Sequence, residues 1–230
     1  MTREVLVATV IAVRGTAEER IDPELGAVSL SIGVSEPERD VALARTSEAH
    51  DHLVAAIRDL ETSGALDTWS AGQLRVWSHR PWNNEGKQLP LVHQTSADVE
   101  VVFSDLEKLG EWVSRVTIGN AVTMGGIDWR LTEATRRRVQ ELAQRAAVAD
   151  AVAKARVYAA ALGLAAPTPV ELADTGLLTA QPVPPSGGGR MFAMRATADM
   201  AGDAGAATEF APAKLVIEAS VEARFAAEPQ

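Results

Sequence analysis

The stretch from Thr132 to Leu164 reads as one helix of about 30 residues, roughly two and a half times the usual length. Whatever else the chain forms has to cover it. With successive residues about 100° apart, Val139, Leu142, Ala143, Ala146, Ala149, Ala153, Val157, Ala160 and Leu164 fall on one face, the pattern of a helix laid on a core. A second apolar stripe runs along the opposite side of the C-terminal half, where Val148, Val152, Ala155, Ala159 and Leu162 recur at spacings of four, three, four and three. In the N-terminal half that side carries Arg137, Glu141, Gln144 and Arg145. The helix therefore begins amphipathic and ends apolar nearly all round, which requires cover on both sides. Ala42 to Leu60 of the first helix is one source of cover for the second stripe. A neighbouring subunit is the other, and is the expectation.

The remaining segments supply the sheets. Val5 to Asp22 and Ala27 to Ser35 flank the turn-forming residues Asp22-Pro23-Glu24-Leu25-Gly26 and read as a hairpin. In its second arm Val28, Leu30, Ile32 and Val34 alternate with Ser29, Ser31 and Gly33, so one face is buried and the other polar. Glu38 to Ser63 is a helix closed by Gly64 in the left-handed cap position. Asp67 to Trp82 and Leu89 to Asp105 flank Asn83-Asn84-Glu85-Gly86 as a second hairpin, and its first arm holds three of the five tryptophans, Trp69, Trp77 and Trp82. Tryptophans on a hairpin arm suit a core or an interface, and Trp77 and Trp82 join the second helix stripe as candidate oligomer-interface residues.

Leu106 to Val116 is a short helix with Leu109, Trp112, Val113 and Val116 inward. Ala121 to Leu131 is a strand whose Gly125-Gly126 marks a bulge or a close backbone approach. Pro167 to Leu178 is a strand with Val170 and Leu172 inward, and Lys214 to Phe225 alternates as a long half-buried strand. Between these two, residues 181–212 are rich in Pro, Gly and Ala and read as a flexible loop, in which Met191, Phe192 and Met194 form a candidate partner-docking segment. The expected fold is α+β, a single domain over residues 1–230, with antiparallel sheets from long hairpins packed against one long and two shorter helices.

Composition removes several function classes. The absence of cysteine excludes disulfides, thiol catalysis and thiolate metal sites. A net charge of -9 with no concentrated basic stretch argues against nucleic acid; Arg136-Arg137-Arg138 points in three directions around a helix start. No segment is long and apolar enough to span a membrane. The nine-residue run Val5 to Val13 reads as a strand, with a signal-peptide core as the alternative. His50 and His52 sit about 200° apart on their helix and share no metal. His79 and His93, on opposite hairpin arms, supply two ligands at most if they meet across the strands, so neither metal nor cofactor is expected. The chain has no Gly-x-Ser-x-Gly, His-Glu-x-x-His, dinucleotide or Walker sequence, and Gly187-Gly188-Gly189 is not followed by Gly-Lys-Ser/Thr. No catalytic residue is assigned.

Several segments together resemble the SIMPL-domain family. Gly125-Gly126-Ile127-Asp128-Trp129-Arg130-Leu131 runs into the long helix, followed by Ala147-Val148-Ala149-Asp150-Ala151-Val152-Ala153-Lys154-Ala155 and Ala160-Ala161-Leu162-Gly163. Gln94 to Val101 leading to Asp105-Leu106-Glu107-Lys108-Leu109-Gly110 is similar to the family's central strand and short helix. Arg14-Gly15-Thr16-Ala17-Glu18 through Pro23-Glu24-Leu25-Gly26-Ala27-Val28 is similar to its first hairpin, with Ala17, Glu24 and Gly26 where glycine, aspartate and alanine are common. The resemblance implies a long helix against antiparallel sheet and large hollow homo-oligomers. It also implies roles in oxidative-stress defence, the cell envelope or signalling, with no agreed catalytic residues. The expectation is a non-enzymatic, cytoplasmic protein that partners itself in a ring or hollow particle and serves as a stress-defence or envelope-integrity scaffold. The chain is exported instead if Val5 to Val13 is a signal-peptide core. The alternatives are a module that docks a protein partner through residues 187–205, and an unrecognised hydrolase or small-ligand-binding protein.

Overall fold

A computed structural model describes residues 8–82, 88–116, 121–178 and 212–230. The elements run β1 (Thr9–Ile21), β2 (Leu25–Glu36), α1 (Arg39–Thr62), β3 (Leu66–Ala71), β4 (Arg75–His79), β5 (Val92–Phe103), α2 (Leu106–Val116), β6 (Val122–Arg130), α3 (Glu133–Ala161), β7 (Thr168–Asp174) and β8 (Leu215–Ala227). The fold is α+β with antiparallel sheets. The described residues fall into two compact units, one of residues 8–21, 133–178 and 216–230, the other of 22–82, 88–116, 121–132 and 212–215.

In the first unit α3 lies on a three-stranded sheet of order β1-β8-β7. Its core joins Ile11 and Val13 to Val221, Ala223 and Phe225, under Ala147, Ala151, Ala155 and Ala159 of the helix. All buried positions of α3, from Val139 and Ala143 onward, are four residues apart. An i+4 row rotates about 40° around the helix per step, so the buried line winds instead of running straight. Twisted strands present just such an inclined seam to a helix ridge. This overturns the straight-stripe expectation: Leu142, Ala149, Ala153, Val157 and Ala160 face outward, whereas the second stripe supplies buried residues.

Two further expectations change. Residues 22–26 do not close a hairpin, because β1 pairs in the sheet with β8 whereas β2 pairs with β5 and β6 in another. The turn chemistry is present, but it hands the chain from one sheet to the next. Val170 and Leu172 are not inward either. Leu172 stands opposite Ala223 in the β7–β8 register, on the helix-facing side, yet both Val170 and Leu172 are 58% exposed. The cover given by α3 stops short of the edge strand β7.

The second unit is a five-stranded sheet in which β3, β5, β2 and β6 are neighbours in that order and β4 also pairs with β5. Val28, Leu30 and Ile32 of β2 and Val99, Val101 and Phe103 of β5 face a layer formed by Leu53 and Ile57 of α1 and Leu109, Trp112 and Val113 of α2. Phe103 and Trp112 pack as a tilted ring pair with centroids 5.2 Å apart. Gly64 takes φ +74° just beyond α1, the left-handed residue that a helix end favours. The paired glycines make the expected bulge: the β2–β6 register shifts between Ser29 and Leu30, Gly125 is the extra residue, and Gly126 has φ +131°. The second hairpin holds as an antiparallel β4–β5 pair, with its first arm split into β3 and β4.

Candidate functional site

The residues that carry the family resemblance meet at three structural joints. At the first, α3 crosses β1 over Gly15. A methyl group there would overlap the Ala147 carbonyl and come within 2.8 Å of the Ala151 Cβ, so only glycine opposite alanine allows this approach. Asp150 and Lys154, four apart on α3, grip the strand on either side: the Thr16 N–H donates to Asp150 at 2.8 Å and Lys154 Nζ donates to the Arg14 carbonyl at 3.0 Å. Arg14 itself pairs with Glu222 at 3.0 Å, whose carboxylate also accepts from the backbone N–H of Leu178. At the second joint Glu24 accepts from the Thr132 N–H at 2.8 Å and from its hydroxyl at 2.6 Å, and so holds the residue that precedes α3. At the third, Arg130 donates to Asp128 at 2.7 Å and to Glu100 at 2.9 Å. Gly26 leaves room for Leu109 and for the Trp129 ring, 3.1 Å from where a methyl group would sit.

The first joint has a pH signature. Lys154 and then the Thr16 N–H hold the Asp150 carboxyl below its ordinary value, and Arg14 followed by the Gly176 N–H does the same for Glu222. A carboxylate depressed in the folded state contributes stability above its unfolded pKa, near 4, and the contribution is lost as pH falls through the folded value. The α3 unit is therefore expected to weaken more than the α1–α2 unit as pH falls below about 4. Asp150→Asn and Glu222→Gln should flatten that dependence in urea titrations followed at α3; an unchanged acid slope in both variants overturns the assignment.

The predicted interface residues separate. Ala155 and Ala159 are buried against the chain's own strands and are not available to another subunit, a correction to the free second stripe. Val148 and Val152 are half-buried on the same core. Leu162 remains 63% exposed, and Tyr158 and Val157, the latter expected on the core face, are open as well. Trp77 and Trp82 are exposed on and beyond β4. Among the described residues the large uncovered aliphatic side chains of the first unit lie on α3 and just past its end (Leu142, Val157, Leu162) and on β7 (Val170, Leu172), with Val10 of β1, Val216 of β8 and Leu177 exposed as well.

The second unit presents a different surface. The sheet face opposite α1 and α2 is polar over Ser29, Ser31, Gly33 and Ser35, in line on β2, and carries the small buried cluster of Leu25, Ala27 and Val102 beyond them. Beside them on β5 stand Glu100 and Asp98, the latter paired with Arg75 of β4. Trp77 shares this face with Arg75, two residues away on the same strand.

The histidines do not meet. In the β4–β5 register His79 is opposite Val92 and His93 opposite Ser78, so the two rings lie on opposite faces. His93 Nδ1 instead shares a 2.7 Å hydrogen bond with the Ser78 hydroxyl. Among the described residues no three His, Asp or Glu side chains are grouped to hold a metal, and no helix is long and apolar enough to cross a membrane. The start of the Val5 to Val13 run, the turn at 83–86, the Val116 side chain, the glycines 187–189 and the docking segment Met191, Phe192 and Met194 lie outside the described residues. The i,i+4 pair Asp150 and Lys154 was missed as a joint, although that spacing is itself the signal of an aligned pair.

No curated protein matches the chain. The family model for SIMPL, a protein of unknown function (DUF541), matches residues 11–225, from the first inward residue of β1 to Phe225 of β8. With nearly its whole length matched, and the matched segments forming the joints of both units, the chain belongs to the SIMPL family.

Proposed function

We propose that the chain is a self-assembling scaffold and not an enzyme, and that copies associate through the apolar side chains that α3 and β7 leave uncovered. The observation that carries this reading is the uncovered end of the α3 sheet, where Val170 and Leu172 stand open on the edge strand, with Leu162 open at the C-terminal end of the helix. An edge strand with exposed aliphatic residues is a ready template for another chain. Each such side chain contributes about 1.5 kcal/mol or more when removed from water, which is offset in part by the cost of association. The residues of the family resemblance support the same view, since they account for folding joints. Stress defence or envelope integrity, the role that the SIMPL resemblance implies, belongs to this proposal.

Native mass measurement tests it. The wild-type chain is expected as an oligomer, and the double variant Leu162→Glu, Leu172→Glu as a monomer with an unchanged circular dichroism spectrum. A wild-type monomer at every concentration rules the scaffold out.

A further inference from the structure

The polar face of the second unit's sheet carries a groove that self-assembly leaves unused. Ser29, Ser31, Gly33 and Ser35 form its floor, a line roughly 20 Å long at about 3.4 Å per residue. Glu100, Asp98, Ser96 and Gln94 of β5 stand opposite them in that order. Across β5 lie Ser70, Arg75 and Trp77, opposite Glu100, Ser96 and Gln94 respectively. The end at Ser29 and Ser31 is an open depression of about 510 Å³, lined among others by Ser29, Ser31, Ser70, Asp98, Glu100 and Thr123.

The chemistry of the walls selects the occupant. Three carboxylates stand against two guanidiniums along the groove, Asp98 paired with Arg75 and both Glu100 and Asp128 sharing Arg130, so its net charge is negative and an anionic ligand is disfavoured. The carboxylate oxygens keep spare lone pairs and the serine and threonine hydroxyls both donate and accept, a set that suits a ligand rich in hydroxyls. The groove offers little to a peptide. β2 is hydrogen-bonded to β5 on one side and β6 on the other, so its backbone has no free edge there, and the floor of serine and glycine has no apolar pocket for a side chain. At the far end Trp77, 46% exposed, presents an aromatic surface on the same face.

We propose that this groove binds a linear neutral oligosaccharide, with one sugar ring stacked on Trp77 and the next rings hydrogen-bonded to Asp98, Glu100 and the serine row. Calorimetric titration of the full chain with cello-, xylo-, malto- and chito-oligosaccharides long enough to span the groove tests it. One series is expected to bind saturably, to weaken about tenfold in Trp77→Ala and in Asp98→Asn, and to lose binding in Ser31→Leu, which fills the floor. Trp77→Ala removes an exposed side chain and Asp98→Asn keeps its shape, so both should retain the wild-type melting temperature and carry the test if Ser31→Leu misfolds. The proposal is overturned if no series binds, if an acidic oligosaccharide or an extended peptide binds more tightly than every neutral sugar, or if Trp77→Ala and Asp98→Asn bind as the wild type does.

Discussion

Gly15→Val is expected to lower the unfolding free energy by about 3 kcal/mol or more, measured by urea denaturation with amide exchange followed along α3 and β1. The helix and strand approach so closely at this point that a single added methyl overlaps the Ala147 carbonyl, which is backbone and has no rotamer to yield. Separating the two elements to admit valine would stretch the Thr16 to Asp150 and Lys154 to Arg14 hydrogen bonds, which lie on either side of the contact. It would also open the methyl layer of Ala147, Ala151 and Ala155 against Ile11 and Val13. Gly125→Ala is the control. A methyl there meets Ser29 at 3.6 Å, an ordinary contact, and the change should stay within about 0.5 kcal/mol. If the Gly15 variant matches this control, the packing of α3 on β1 is not what holds the unit together.

The same contact explains which parts of the fold were legible in the sequence. The helix, the second hairpin, the glycine cap after α1 and the bulge at Gly125 depend on signals within a few residues, and all four are present. The inward face of α3 depends on something else. Alanine is small enough to stand on either side of a helix, so nine apolar positions on a straight face outweighed the six that wind with the sheet. The twist that decides between them belongs to β1 and β8, strands separated in sequence by most of the chain. The misread hairpin at residues 22–26 has a similar origin: Pro23 and Gly26 specify a change of direction and leave the destination strand open. Val170 and Leu172 carry the alternation of a covered strand, but cover is a property of the edge position that the β7–β8 pairing assigns.

The polar groove was half legible. The run of Ser29, Ser31 and Gly33 announced an open face, and Asp98 and Glu100 read as solvated. Their pairing with Arg75 and Arg130, and the placing of Trp77 on the same face, follow only from the pairing of β4 and β6 on either side of β5 and β2.

Ala155→Glu is expected to unfold the α3 unit, with a loss of several kcal/mol, and not simply to dissolve an assembly. Ala155 is fully buried in a layer of methyl groups under Val221, Ala223 and Phe225. A glutamate there adds volume where α3 and the sheet leave room for one carbon, and it places a carboxylate beyond reach of water. The neighbouring cation does not rescue it, because Lys154 is turned to Asp150 and the Arg14 carbonyl on the flank of the helix. The group is therefore expected to bind a proton well above its ordinary range or to force the helix off the sheet. Leu162→Glu differs in its setting: Leu162 is 63% exposed, so its charge should change the unfolding free energy by no more than about 0.5 kcal/mol and act on association alone. Denaturation and native mass measured on both variants separate folding from assembly. A wild-type midpoint for Ala155→Glu means that α3 is not seated on its sheet through the i+4 row, and a Leu162→Glu chain that still assembles moves the interface off the end of the helix.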